Sequence, residues 1–161
     1  WRRISPAGSP PIRGHAPAIR LPRETVGVLR DLRGSWRLGI LTNGDPGVQR
    51  RKVHALGVAD LVDAVVFAGE LGAGLAKPAP RAFERILDRL RTPAAAAVFV
   101  GDDLAADMAG ASGVGMKTIH VQRSGWTTHE RCESPRCGAH VTRLRHVPAM
   151  AGRLIERTSR S

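Results

Sequence analysis

The chain contains no tyrosine, and only three tryptophans and three phenylalanines in 161 residues, so aromatics make up 4%. That scarcity leaves no ring platform for stacking nucleic-acid bases. Cysteine is equally sparse. Two cysteines are too few for a disulfide scaffold. No apolar run approaches the ~20 residues of a membrane-spanning helix, and no hydrophobic signal segment opens the sequence. The expectation is a cytoplasmic protein with no membrane partner.

What is present is an ordinary globular composition, 42% hydrophobic and 24% charged, at a length suited to one core. Basic residues outnumber acidic ones by 25 to 14, for a net charge of +11. The only lysines are Lys52, Lys77 and Lys117; the other 22 basic residues are arginines scattered along the chain. Scatter of that kind reads as a solvated face, so nucleic acid is not an expected partner. Oligomeric state is left open. A first residue of Trp1 fits a processed chain or a piece of a longer one.

Residues 1–21 carry Pro6, Pro10, Pro11 and Pro17, a density that blocks helix and strand, and read as a leader or cap remnant. Pro22 opens a helix with Val26, Leu29 and Leu32 on one side and Gly34 as its stop. A strand is expected from Trp36 to Leu41, then a helix from Pro46 to Leu56 stopped by Gly57. Ala64 to Ala68 and Ala97 to Val100 read as buried strands, with a helix from Arg81 to Leu90 between them. A short helix from Leu104 to Ser112 and a strand from Met116 to Val121 complete the alternation. Strands alternating with helices imply an α/β fold with a parallel sheet covered on both faces. The core is expected over 22–123. Residues 124–161 read as a C-terminal extension, polar and turn-rich to Ala139, with a terminal helix from Pro148 to Arg157.

In open α/β sheets the working residues lie just past the carboxyl ends of strands. Three groups sit there. Thr42-Asn43-Gly44 places a hydroxyl and backbone N–H groups ahead of a helix, an anion-binding arrangement, though the same residue types are also common in turns. Lys77-Pro78 follows a glycine-rich loop, from which a lysine reaches toward a phosphate. Asp102, Asp103 and Asp107 crowd the end of an apolar strand. A cap needs one acid, and three like charges repel unless a cation sits among them. Hard oxygen ligands of this kind suit Mg²⁺.

Together these residues resemble the haloacid dehalogenase-like (HAD) hydrolase superfamily. Leu38-Gly39-Ile40-Leu41-Thr42-Asn43-Gly44 is similar to its second motif, Lys77-Pro78 to its third, and Gly101-Asp102-Asp103 through Asp107 to its fourth. The resemblance spans residues 20 to 123. It implies a Rossmann-like three-layer fold and hydrolysis of a small phosphorylated metabolite through an aspartyl-phosphate. In that scheme Thr42 and the Asn43 and Gly44 backbone hold the phosphate and Lys77 neutralises developing charge. Asp102 would bind Mg²⁺, with Asp107 or Asp103 beside it. The acid-rich fourth motif favours phosphomonoester over carbon–halogen cleavage, which has no phosphate to neutralise.

The family's first motif, Asp-x-Asp-Gly-Thr at the end of the central first strand, is not in the sequence. The string around Asp31 is a decoy. Arg33 stands where the second acid belongs, and ten residues between Asp31 and Thr42 are too few for a parallel crossover. The expectation is therefore a sheet without its central first strand and a chain inactive by itself. The alternative is a non-catalytic relative that binds a phosphorylated ligand or a protein partner.

His129, Cys132, Cys137 and His140 form His-x2-Cys-x4-Cys-x2-His, a set of zinc-compatible ligands at a spacing unlike common fingers. Zinc is carried as a candidate beside two free thiols and a structural disulfide. His15, His54, His120 and His146 have no partner in the sequence pattern and receive no role.

Overall fold

The structure is a computed structural model and describes residues 19–122 and 137–158. Helix α1 (Arg23–Arg33) begins after Pro22, whose missing N–H costs nothing at a helix start. It includes Asp31, which sits within a helix as expected of a decoy. Strand β1 (Gly39–Thr42) is shorter than the apolar run suggests and displaced toward its end. The reason lies in where the preceding amides go. The Trp36 amide is used to close α1, donating to Leu32 O at 2.9 Å. The Leu38 amide goes to the Asp63 carboxylate at 2.7 Å, leaving only Gly39 onward to form the ladder.

Helix α2 (Pro46–Leu56) runs between the two signals read from sequence. Asp45 accepts from the Val48 amide at its start, and Gly57 takes the left-handed conformation at its end. Strand β2 (Ala64–Phe67), helix α3 (Pro80–Leu90) and strand β3 (Val98–Gly101) follow. The expected helix after β3 is split into a π-helical turn, Leu104–Met108, and helix α4 (Ala109–Gly113). Strand β4 (Lys117–Val121) comes next. A strand β5 (Ala139–Val141) lies where the sequence shows only turns and a weak apolar pattern, and helix α5 (Val147–Thr158) ends the described chain. Three residues are too short for a periodicity to register. What makes β5 a strand is the open edge of β4 beside it.

Strands β1 and β2 pair in parallel, as do β3, β4 and β5 in the order β3-β4-β5. The α/β parallel architecture is thus the one the sequence implies. Neighbouring residues of β3 look in opposite directions, as a pleat requires. Phe99 packs against the cluster that holds Phe83 and Leu87 of α3, and Val98 against the one that holds Val147 and Ala151 of α5, which Leu32 of α1 also joins. So α3 and α4 cover one face, and α1 and α5 the other. Phe83, fully buried, meets Phe99 edge-on at 5.2 Å between ring centroids. Residues 137–158 are part of this core: β5 extends the sheet, and α5 packs on β3, β4 and α1.

Among the described residues, β1 and β3 are not hydrogen-bonded to each other. Between them lies an apolar slot of about 760 Å³, with Ile40 and Leu41 on one side and Val98 and Val100 on the other. No helix among the described residues is long and apolar enough to cross a membrane.

Candidate active site

The carboxyl ends of β1 and β3 come to one rim of the fold. After β1, the Asn43 side chain binds the backbone of Lys77 at both ends of its amide. It donates to Lys77 O at 2.9 Å and accepts from Lys77 N at 3.0 Å. The sequence offered Asn43 only as a backbone donor to phosphate; its side chain is the clamp that fixes the lysine-bearing loop against β1. From there the Lys77 ammonium reaches the Asp107 carboxylate at 2.6 Å, across the end of β3. Both side chains are nearly buried, at 12% and 7% exposure, so the pair is largely shielded from solvent. Lys77 Nζ also lies 5.6 Å from the Phe99 ring centroid.

Thr42 ends β1 and is half-buried. Its hydroxyl donates to Gln49 Oε1 at 3.2 Å, so α2 orients it. Gly44 has φ of +103°, a backbone shape that side chains resist, and it turns the chain from the strand into α2. Gly101 is required for a different reason. A Cβ there would stand 2.2 Å from Asp107 Oδ2, so only glycine lets that carboxylate lie over the strand end.

The three carboxylates of the acidic group have different surroundings. Asp107 is neutralised by Lys77. Asp103 caps the following turn, accepting from Ala105 N at 2.9 Å and Ala106 N at 2.7 Å. Among the described residues, no three His, Cys, Asp or Glu side chains gather as a metal-holding group. Asp102 is exposed at the rim, and among the described residues no hydrogen bond or ion pair is formed by its carboxylate. Mg²⁺ commonly takes one or two carboxylates and completes its shell with phosphate oxygens and water. Asp102 and Asp107 are the carboxylates of that donor type here; Asp103 is committed to its cap.

Sequence reasoning missed two residues that shape the rim, Gln49 and His120, and gave Gly101 no role of its own. His120 is buried, with Nε2 3.2 Å from Asp102 O and Nδ1 3.2 Å from His140 Nδ1. The strand register supplies the signal that sequence alone lacked, since His120 stands opposite Gly101 in β3 and His140 in β5. Of the zinc candidates, His129 and Cys132 lie outside the described residues. Cys137 is disulfide-bonded. His140 faces His120.

A parallel α/β core thus carries a hydroxyl, a nearly buried lysine and carboxylates at one strand-end rim. The comparisons place it more narrowly. A profile of haloacid dehalogenase-like hydrolases matches residues 17–115, well over half the chain, and the chain belongs to that family. It is 37% identical over 108 residues to N-acylneuraminate-9-phosphatase of Rattus norvegicus, a match covering 66% of this chain and 43% of that enzyme. The chain therefore spans less than half the length of this relative. The fold is similar to a HAD phosphatase of Thermococcus onnurineus, with TM-score 0.70 and 29% identity over 82% of this chain and 58% of that one. It is also similar to a 2-haloacid dehalogenase of Pseudomonas syringae pv. Tomato, with TM-score 0.68 and 32% identity over 81% and 53%.

Proposed function

We propose that these residues form the phosphate-handling part of a Mg²⁺-dependent phosphomonoesterase acting on a small phosphorylated metabolite. The observation that carries this reading is the Asn43–Lys77–Asp107 chain, which ties a cation to the residue after Thr42 and to the carboxylate beyond β3. In this reading Thr42 donates to a non-bridging phosphate oxygen, exchanging its bond to Gln49. The Asn43 and Gly44 amides, ahead of α2, add donors to the same group. Lys77 faces the transferring phosphoryl group and offsets its charge, held in direction by Asp107 and in place by Asn43. Asp102 and Asp107 would hold Mg²⁺, which supplies charge neutralisation for the phosphoryl oxygens.

The nucleophile of the proposed reaction is an aspartate, phosphorylated and then hydrolysed by water. Because the Asp-x-Asp-Gly-Thr string is not in the sequence, the 161-residue chain is proposed to be inactive on its own. That same lack favours a second reading, a non-catalytic domain that binds a phosphorylated ligand. Two assays separate the possibilities. The chain alone is expected to release no p-nitrophenol from p-nitrophenyl phosphate above the buffer rate, with or without Mg²⁺; Mg²⁺-dependent release would end the inactivity claim. A longer chain carrying the nucleophile motif ahead of these residues is expected to turn over, and to lose about 10²–10³ in kcat on Lys77→Met. Binding of phosphate without turnover in that longer chain supports the second reading. Metal-independent turnover of a 2-haloacid in place of the phosphoester rejects both.

A further inference from the structure

Charge of one sign gathers beside β5, the outer strand of its sheet. Between Asp107 and Glu156 the described residues include no aspartate or glutamate, while His140, Arg143, Arg145, His146 and Arg153 lie in the short stretch from β5 into α5. A pocket of about 380 Å³ opens there, between the carboxyl end of β5 and the first turns of α5. Arg145, His146 and Arg153 line it, with Ala149 and Met150 as its apolar part. Among the described residues neither the Arg145 nor the Arg153 guanidinium has an ion pair or a hydrogen bond. Glu24 meets this segment at the Arg145 backbone amide, 3.4 Å away. His140 also lines the pocket, but its Nδ1 is 3.2 Å from His120 Nδ1, so the contacts open to a ligand fall to the other three. The pocket is separate from the Lys77–Asp107 pair. β5 is two strands over from β3, about 10 Å by ordinary strand spacing.

We infer that this pocket is a second binding site, for a small molecule carrying two oxyanion groups, phosphate or carboxylate. Guanidinium is the side-chain group best suited to forked hydrogen bonds with such oxygens. Arg145 and Arg153 are eight positions apart, about 12 Å along a helix axis, so each has room for an anion of its own. Arg145, Ala149 and Arg153 recur every fourth residue and so share one side. The Ala149 methyl leaves the space between the two longer side chains open to the carbon part of the ligand. The volume agrees. It lies at the lower end of small-molecule pockets, and it exceeds a single oxyanion, which takes the space of a few waters. The positive end of α5 lies beside Arg145 and His146 and adds to the attraction. None of these side chains takes part in the proposed hydrolysis, so the two readings stand or fall separately.

The test measures binding through backbone amide shifts, in the 161-residue chain and in the longer chain carrying the nucleophile motif. The probes are hexanediol bisphosphate and adipate. Hexyl phosphate and hexanoate, each with one anion on the same carbon chain, are the controls at equal ionic strength. Each two-anion probe is expected to bind about tenfold tighter than its control or better, with saturable shifts over 142–153. The tighter of the two probes names the oxyanion. Arg145→Ser and Arg153→Ser, both at exposed positions, should each weaken binding about tenfold, to the level of the one-anion control. Ala149→Leu keeps every cation and fills the pocket, and should also cost about tenfold. Unchanged amide shifts elsewhere show that these variants keep the fold. Undiminished affinity in Ala149→Leu overturns the inference, because diffuse positive charge is then what attracts the probe. Equal affinity for one-anion and two-anion probes, or no saturable shift over 142–153, overturns it too. Shifts confined to 42–44 and 77 place the probe at the rim, which overturns this site and leaves the hydrolysis reading standing. A longer chain that is inactive but binds the probe over 142–153 supports this site and not the hydrolysis.

Discussion

Strands β3 and β4 lie side by side, and the less apolar of the two is the better buried. β4 contains Thr118 and His120, yet Thr118 is 2% exposed and Ile119 fully buried. β3 reads Val-Phe-Val-Gly, and its Val100 is 38% exposed. The difference is in the neighbours. Among the described residues, β4 is paired on both edges, by β3 and β5, and β3 on only one. Thr118 and His120 tolerate burial because they find polar partners: Thr118 Oγ1 accepts from Gly138 N at 2.8 Å, and His120 reaches Asp102 O and His140. Burial is therefore a property of position in the sheet. Hydrophobicity sets how much a position gains when covered, and topology sets whether it is covered.

The two regions also differ in what a substitution does. The largest effect is expected at the rim. Lys77→Met strands the Asp107 carboxylate in a nearly buried place and should cost about 3–5 kcal/mol in urea unfolding. Adding Asp107→Leu should recover most of that, because the loss comes from the orphaned charge. Recovery of nothing would mean that Lys77 stabilises through packing on Phe99 instead. Next is the contrast within the sheet itself. Ile119→Ala in β4 should cost about 2–5 kcal/mol, and Val100→Ala in β3 about 0.5 kcal/mol or less. Equal costs would show that β3 is covered in solution.

Gly101→Ala carries the contrast to the strand end. The added methyl collides with Asp107 and should cost about 1–3 kcal/mol. Its specific signature is loss of the Lys77–Asp107 coupling in a double-mutant cycle, which a general packing defect would leave intact. The smallest effect is expected far from both regions. Asp45→Ala removes the cap of α2 and should cost about 1 kcal/mol. A larger loss at Asp45 would mean that α2 also holds the rim through Gln49 and Thr42.

Local chemistry was readable along much of the chain. Pro46 and Gly57 bracket α2, the apolar spacing of Phe83, Ile86, Leu87 and Leu90 marks the inner face of α3, and strand runs at 64 and 98 appear as β2 and β3. Thr42 and Lys77 were legible because each follows a recognisable strand or loop signal. Less legible were features made by contacts distant in sequence. β5 is a strand because β4 offers an edge. Trp36 to Leu38 stay outside β1 because Leu32 and Asp63 take their amides. His120 has no pattern partner until the register sets it beside Gly101 and His140.

The sequence by itself determined the alternation of strands and helices, the residue types at the strand ends, and hence the family, since these depend on neighbours a few positions apart. The tertiary structure alone decided which charge answers which. It gave Asp107 to Lys77 across 30 residues, Asp103 to its own helix start, and left Asp102 open at the rim. Coulomb attraction and hydrogen bonding act over ångströms in space, and no spacing in the chain reveals which groups the fold will bring that close.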